Sequence, residues 1–401
     1  MNRRILALLL VLSMFAALLT GCASGKQEST APETTQTEQT APETEAPAED
    51  PAAEEPAAEE EPAPVEAETV SFTDSLGRTV ELPADITRIA PSGAVATMIL
   101  AAIAPEFMVA INAAPTEKQL AFLPANLADL PETGQMYGSK ANLNLETVLS
   151  ADPQVVIDLG DKKDDMAEDL DALQEQTGIP VIFIEADLPH MAAAFHTLGS
   201  ILSGKAERGE ALAVFVDRTT TMAAENAAKI TDETCVSAMY TTGEDGLGTN
   251  AAGSVQAQVL DMVGVENAVV VEDVTNKGGG NIISLEQLYN FDPDVILFAD
   301  GSIYDTVADD PAWSQLTAIS TGKYYEVPGT PYSWLSGPPS MNMLLGVWWL
   351  GNLIYPEIYD YDMTSVAKEA YSLLWGYELS DEEVTSLLAH STLKTAAVAA
   401  Q

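Results

Sequence analysis

Few residues in this chain could do chemistry, and the cysteines and histidines come first. The 401 residues hold two cysteines, Cys22 and Cys235, and three histidines, His190, His196 and His390. Cys22 closes the run Leu19-Thr20-Gly21-Cys22, where small residues precede a thiol that, at a new N-terminus, can take a diacylglycerol. Ahead of it, Arg3 and Arg4 and the apolar stretch Ile5 to Leu19 suit a secretory signal and are too short for a stable membrane span. Two or three acyl chains, at about 0.8 kcal/mol per buried CH₂, anchor firmly where one would not. With Cys22 acylated, Cys235 has no partner for an intrachain disulfide, and its apolar run Thr234 to Tyr240 suits a small core hydrophobe.

Catalytic arrangements do not follow. The histidines stand in no recognisable relation to Cys235. Ser92-Gly93 follows a strand-like run, yet Gly-x-Ser-x-Gly is absent and no base is placed. Gly278-Gly279-Gly280 lacks the Gly-Lys-Ser/Thr of a phosphate loop, and no zinc spacing occurs. His190 follows a strand-like run and reads as a surface residue rather than a metal ligand. The expectation is a protein that binds rather than an enzyme, with no cofactor and no direct protein ligand to a metal.

Residues 26–68 are mostly Ala, Pro, Glu, Thr and Gln with almost no large apolar side chain. Such a segment cannot offset its ordering entropy by burial, so it reads as a disordered tether. Setting aside Arg3, Arg4, Lys26 and the 14 acids of the tether leaves 14 basic against 47 acidic residues, a charge near −33. That excludes nucleic acid as a natural partner and disfavours polyanionic ligands.

From Thr69 onward, short β-branched runs alternate with Ala/Leu-rich helical stretches. Candidate strands are Arg88-Ile89-Ala90, Met108 to Ile111, Val155-Val156-Ile157, Val181 to Ile184, Cys235 to Tyr240, Ala268 to Val271, Val295 to Phe298 and Tyr324 to Val327. This rhythm predicts an α/β fold with mainly parallel sheets. Asn144 to Ile157 also aligns with Ser284 to Leu297 at a constant offset of 140, each copy reading as capped helix, Asp-Pro break and buried strand. Two similar lobes explain the repeat. Between the copies, Lys205 to Lys229 has no Gly or Pro after Gly209 and predicts one long helix of about 20 residues. The boundaries are 1–21 signal peptide, 22–68 lipidated cysteine and acidic linker, 69–203 first lobe, 204–230 connecting helix and 231–401 second lobe.

Several segments, in order, resemble one family. Phe72-Thr73-Asp74-Ser75-Leu76-Gly77-Arg78 with Leu82-Pro83 and Arg88-Ile89 looks like its opening hairpin and first strand. Trp313 to Ile319 before Gly322-Lys323-Tyr324-Tyr325, Trp349-Leu350 leading to Tyr355-Pro356-Glu357, and Tyr377 to Glu383 match later signatures. The family is that of the substrate-binding lipoproteins of ABC importers for iron-siderophores, haem and vitamin B12. The resemblance implies two Rossmann-like lobes joined by a single long backbone helix, and a monomer lipid-anchored outside the cytoplasm. It also implies delivery of a metal chelate to a permease dimer with a cytoplasmic ATPase. An iron-siderophore is the first expectation, with cobalamin, haem or a nickel, cobalt or molybdate species as alternatives. A scavenger without a permease and a surface enzyme on the same scaffold are the rivals.

The resemblance assigns permease docking to Glu146 and Glu286, equivalent in the repeat; either also suits a helix start electrostatically. The ligand is expected between the lobes at the carboxyl ends of parallel strands. Candidates there are Ser92, Gln135, Tyr137 and Glu185 in the first lobe and Tyr240, Asn276, Lys277, Tyr304, Tyr332 and Trp334 in the second. Aromatic rings suit flat or greasy chelates. Relatives carry basic residues beside a Trp-x-x-x-Pro-Pro-Ser segment; Trp334 to Met343 has none, which disfavours triply charged catecholates.

Overall fold

The structure, a computed structural model, describes residues 68–138, 141–276 and 279–391. The signal, Cys22 and the linker lie outside the described residues, as does Lys277. No helix among the described residues is long and apolar enough to cross a membrane.

The first lobe opens on an antiparallel hairpin, β1 (Thr69–Thr73) and β2 (Thr79–Pro83). Asp74 explains its turn: Oδ1 accepts from the amides of Leu76 and Arg78 at 3.0 and 2.9 Å, and Oδ2 pairs with the Arg78 guanidinium at 2.9 Å. Arg78 in turn donates to the Val181 carbonyl, which pins the hairpin to the sheet. That sheet is parallel, in the order β3 (Ile89–Pro91), β4 (Val155–Gly160), β5 (Val181–Glu185). All six residues of β4 are buried, as expected of a parallel strand covered on both faces. Between β3 and β4 lie α1 (Ala94–Ile103), the single turn α2 (Glu117–Leu120) and α3 (Leu145–Ala151). Helices α4 (Met166–Thr177) and α5 (Met191–Ile201) follow β4 and β5.

The connecting helix is α6 (Ala206–Ala227), 22 residues and about 33 Å long. Its Arg208 donates to the Ala102 carbonyl at the end of α1 and to the Leu373 carbonyl near the chain's end.

The second lobe has a six-stranded sheet. Parallel β11 (Tyr324–Glu326), β10 (Val295–Phe298), β6 (Ser237–Thr242) and β8 (Glu266–Asn267) are extended antiparallel by β7 (Gly248–Thr249) and β9 (Asn281–Ile282). Its helices are α7 (Gln258–Val263), α8 (Leu285–Phe291), the turn α9 (Thr317–Ser320), α10 (Asn342–Ile354), α11 (Met363–Trp375) and α12 (Asp381–Leu387). The fold is thus α/β with two lobes and mainly parallel sheets.

The repeat is realised residue by residue. Asn144 Oδ1 accepts from Thr147 N, and Ser284 Oγ from Gln287 N, both at 3.2 Å. Asp152 and Asp292 close the two helices with positive φ, 51° and 27°, before the prolines feed β4 and β10. One continuous core joins Ile99 of α1, Leu212 and Phe215 of α6, Leu344 of α10 and Leu374 of α11.

Three readings are corrected. Met108 to Ile111 is not a strand: it makes isolated bridges, Ile89 with Met108 and Ile111 with Glu132. Ala268 to Val271 is not one either, because the Asn267 side chain bonds the Asn250 carbonyl and the Val269 amide and turns the chain off the sheet after β8. Cys235 is exposed rather than core, since its amide closes a turn on the Thr231 carbonyl before β6 begins.

Candidate functional site

At the carboxyl ends of β3, β4 and β6, a cleft of about 550 Å³ opens between the lobes. Parallel strands end their ladders there, and the loops that follow are free to present side chains. On the first lobe, Ser92 and Gly93 lead from β3 into α1, whose first turn lies open to the cleft. Gln135 and Tyr137 come from the loop before α3, and Asp158, Asp161 and Lys163 from the end of β4 and its loop. The second lobe answers with Thr242 at the end of β6, Asn250, Gln256, Asn276 and the loop Ser336 to Pro339.

Of the candidates, Ser92, Gln135, Tyr137 and Asn276 are brought together. Gln135 Nε2 donates to the Tyr137 carbonyl, and Asn276 Oδ1 accepts from the Val255 amide. Lys163 Nζ lies 5.0 Å from the centre of the Tyr137 ring.

The others stand elsewhere. Trp334 is fully buried in the core, where its carbonyl lies against Gly346 of α10. Tyr240 is buried beneath the cleft, its hydroxyl 3.4 Å from Ser333 Oγ and Ser336 Oγ. Tyr304 stacks on His390 at 5.0 Å, and Tyr332 leans on Trp375 at 6.4 Å, both in packing roles. Glu185 ends β5 beside Asp187 and His190, outside the cleft wall. These three could together hold a cation, since their ligating atoms lie within 4.8 Å of one another. The Asp187 carboxylate, 2.5 Å from His190 Nδ1, raises the imidazole's pKa. Glu146 and Glu286 are exposed in the first turns of α3 and α8, far in sequence but matched in setting.

Sequence reasoning missed Asp158, Lys163, Asn250 and Gln256. Asp158 had a signal: an acid inside the run Val155 to Leu159. Strand alternation turns Val155, Ile157 and Leu159 to one face, Val156 and Asp158 to the other. Asp158 is 4 % exposed, Ser92 Oγ donates to its Oδ1, and Oδ2 is buried without a hydrogen-bond partner among the described residues. Burial pushes its pKa up, against the opposing pull of Ser92 and Lys163. Gln256 Nε2 donates to the Asn276 carbonyl, and its buried Oε1 on the facing wall has no hydrogen-bond partner among the described residues.

Residues 89–331 match the periplasmic binding protein family. The chain belongs to that family. Such proteins bind solutes for ABC transporters outside the cytoplasm and work with a permease. An ABC transporter solute-binding protein of Sulfurospirillum deleyianum is 28% identical, with 80% of this chain and 99% of that one covered at a TM-score of 0.72. A periplasmic solute-binding protein of Veillonella parvula is 25% identical, covering 81% and 98%, TM-score 0.67. The molybdate-binding protein of Haemophilus influenzae, solved with molybdate, shares the fold at 19% identity, covering 78% and 99%, TM-score 0.61. No curated protein matches the chain.

Proposed function

We propose that this protein is a monomeric, lipid-anchored receptor without enzymatic activity. It takes a metal chelate, an iron-siderophore first among them, into the cleft and delivers it to the permease through Glu146 and Glu286. The cleft carries this reading: both lobes line it with small and apolar residues among which uncharged polar side chains outnumber charged ones, and about 550 Å³ suits a compact ligand of drug size. Among the described residues Tyr137 is the one aromatic ring on its walls, which favours a compact chelate over the broad faces of haem or a corrinoid. The anchor rests on Leu19-Thr20-Gly21-Cys22, and the strongly negative charge argues against polyanionic cargo. A metal oxyanion is the second reading, favoured by the open first turn of α1 and by the molybdate held in the Haemophilus protein.

Native mass spectrometry of protein purified from its own source tests the ligand class. The expected result is a bound metal-bearing mass, reproduced by tryptophan-fluorescence titration with the matching chelate. Tightest binding of a ferric catecholate would contradict the charge argument.

A further inference from the structure

Among the described residues, no side chain caps the first turn of α1 by a hydrogen bond. Ser92 Oγ is engaged by Asp158, Gly93 at the N-cap has no side chain to offer, and the turn carries no acidic residue. The leading amides of a helix have no partner within it and form the positive end of its dipole. Gly93, Ala94, Val95 and Ala96 all line the cleft. Asp158 stands on the same wall, and its buried Oδ2 is the second, independent feature that calls for a ligand. An ionised carboxylate half-paired in such a place is costly, whereas the neutral acid carries a hydroxyl that needs an acceptor.

We propose that Asp158 selects the ligand: as a neutral acid it donates from Oδ2 to an anionic oxygen that also faces the amides of α1. This rests on the cleft being the ligand site. The oxygen is an ionised carboxylate of a chelate or belongs to a metal oxyanion; the chemistry at this wall is the same. The groups around Asp158 are Ser92 from the end of β3, Tyr137 from the loop before α3, and Asp161 and Lys163 from the loop after β4. Lys163 favours the ionised carboxylate, while burial opposes it. Burial and the neighbouring Asp158 hold the Tyr137 phenol protonated, and burial raises Asp161 as well. Asp169 on α4 faces Tyr137 from behind. Because only the protonated form of Asp158 donates, binding fixes a proton. Affinity for the anion therefore falls as pH rises through the ionisation of the free protein's Asp158, and is full below it.

Calorimetric titration in two buffers of different ionisation enthalpy counts that proton. Molybdate and ferric citrate serve as anionic probes, a cationic ferric trihydroxamate as the control, from mildly acidic to mildly alkaline pH. Wild type is expected to bind one anionic probe with proton uptake, and to lose about tenfold in affinity per pH unit above the ionisation. Whether molybdate or citrate binds identifies the source of the oxygen. Asp158→Asn keeps the shape, the acceptor for Ser92 and a donor at the second position. It should bind the same probe with affinity flat in pH and no linked proton. Anion binding with no proton uptake and flat affinity across the whole pH range would overturn the assignment and leave the receptor reading standing. So would binding confined to the cationic chelate and lost in Asp158→Asn. Failure of every probe to bind wild type would overturn both.

Discussion

Trp334 and Ser336 stand two residues apart and face opposite ways. The indole is fully buried, while Ser336 reaches the cleft rim. Their directions are set by α10: a Cβ on Gly346 would come within 2.0 Å of the Trp334 carbonyl, so the loop lies directly on the helix there. Replacing Trp334 by Ala empties a core site, with an expected loss of about 3–5 kcal/mol in urea unfolding and little change in the ligand affinity of the folded protein. An unchanged unfolding midpoint with lost affinity would return the residue to the cleft. The sequence identifies this loop by its Trp and paired prolines, but residue type cannot say which end of it meets the ligand. Asp158 was readable as an acid in an apolar strand; Asn250 and Gln256 sit in no motif, and only the antiparallel extension of the second sheet brings them to the cleft.

Among the elements, the repeat was the most legible feature, because capping residue, Asp-Pro break and apolar strand are each local signals. The connecting helix was legible for the same reason, running one residue short of Lys205 and two short of Lys229. Short strands were not: Ala268 to Val271 has the right composition, yet the Asn267 side chain redirects it. What Gly209 does was also hidden. A Cβ there would lie 2.5 Å from the Phe195 carbonyl oxygen and 2.9 Å from Gly199 Cα, so α5 and α6 touch backbone to backbone. Alanine gains about 1 kcal/mol over glycine in a free helix, but overpacking against backbone costs about 1–3 kcal/mol. Gly209→Ala is therefore expected to lower the melting temperature. A rise would mean the crossing is looser than these distances.

At the scale of the molecule, the lobes are not free bodies. The shared core and the Arg208 bonds tie α1, α6 and α11 together, so the lobes should keep nearly the same spacing when the cleft fills. A fixed spacing is what two docking points on a dimeric permease require, and Glu146 and Glu286 occupy matched, exposed first turns on the two lobes. Glu146→Gln and Glu286→Gln preserve shape and remove one charge each. The measurement that bears most directly on delivery to a permease is ligand-stimulated ATPase activity of the cognate transporter with these variants. Stimulation should fall for each and further for the pair, with ligand affinity and unfolding unchanged. Wild-type stimulation by the double variant would reduce both carboxylates to helix-start residues and contradict docking through them.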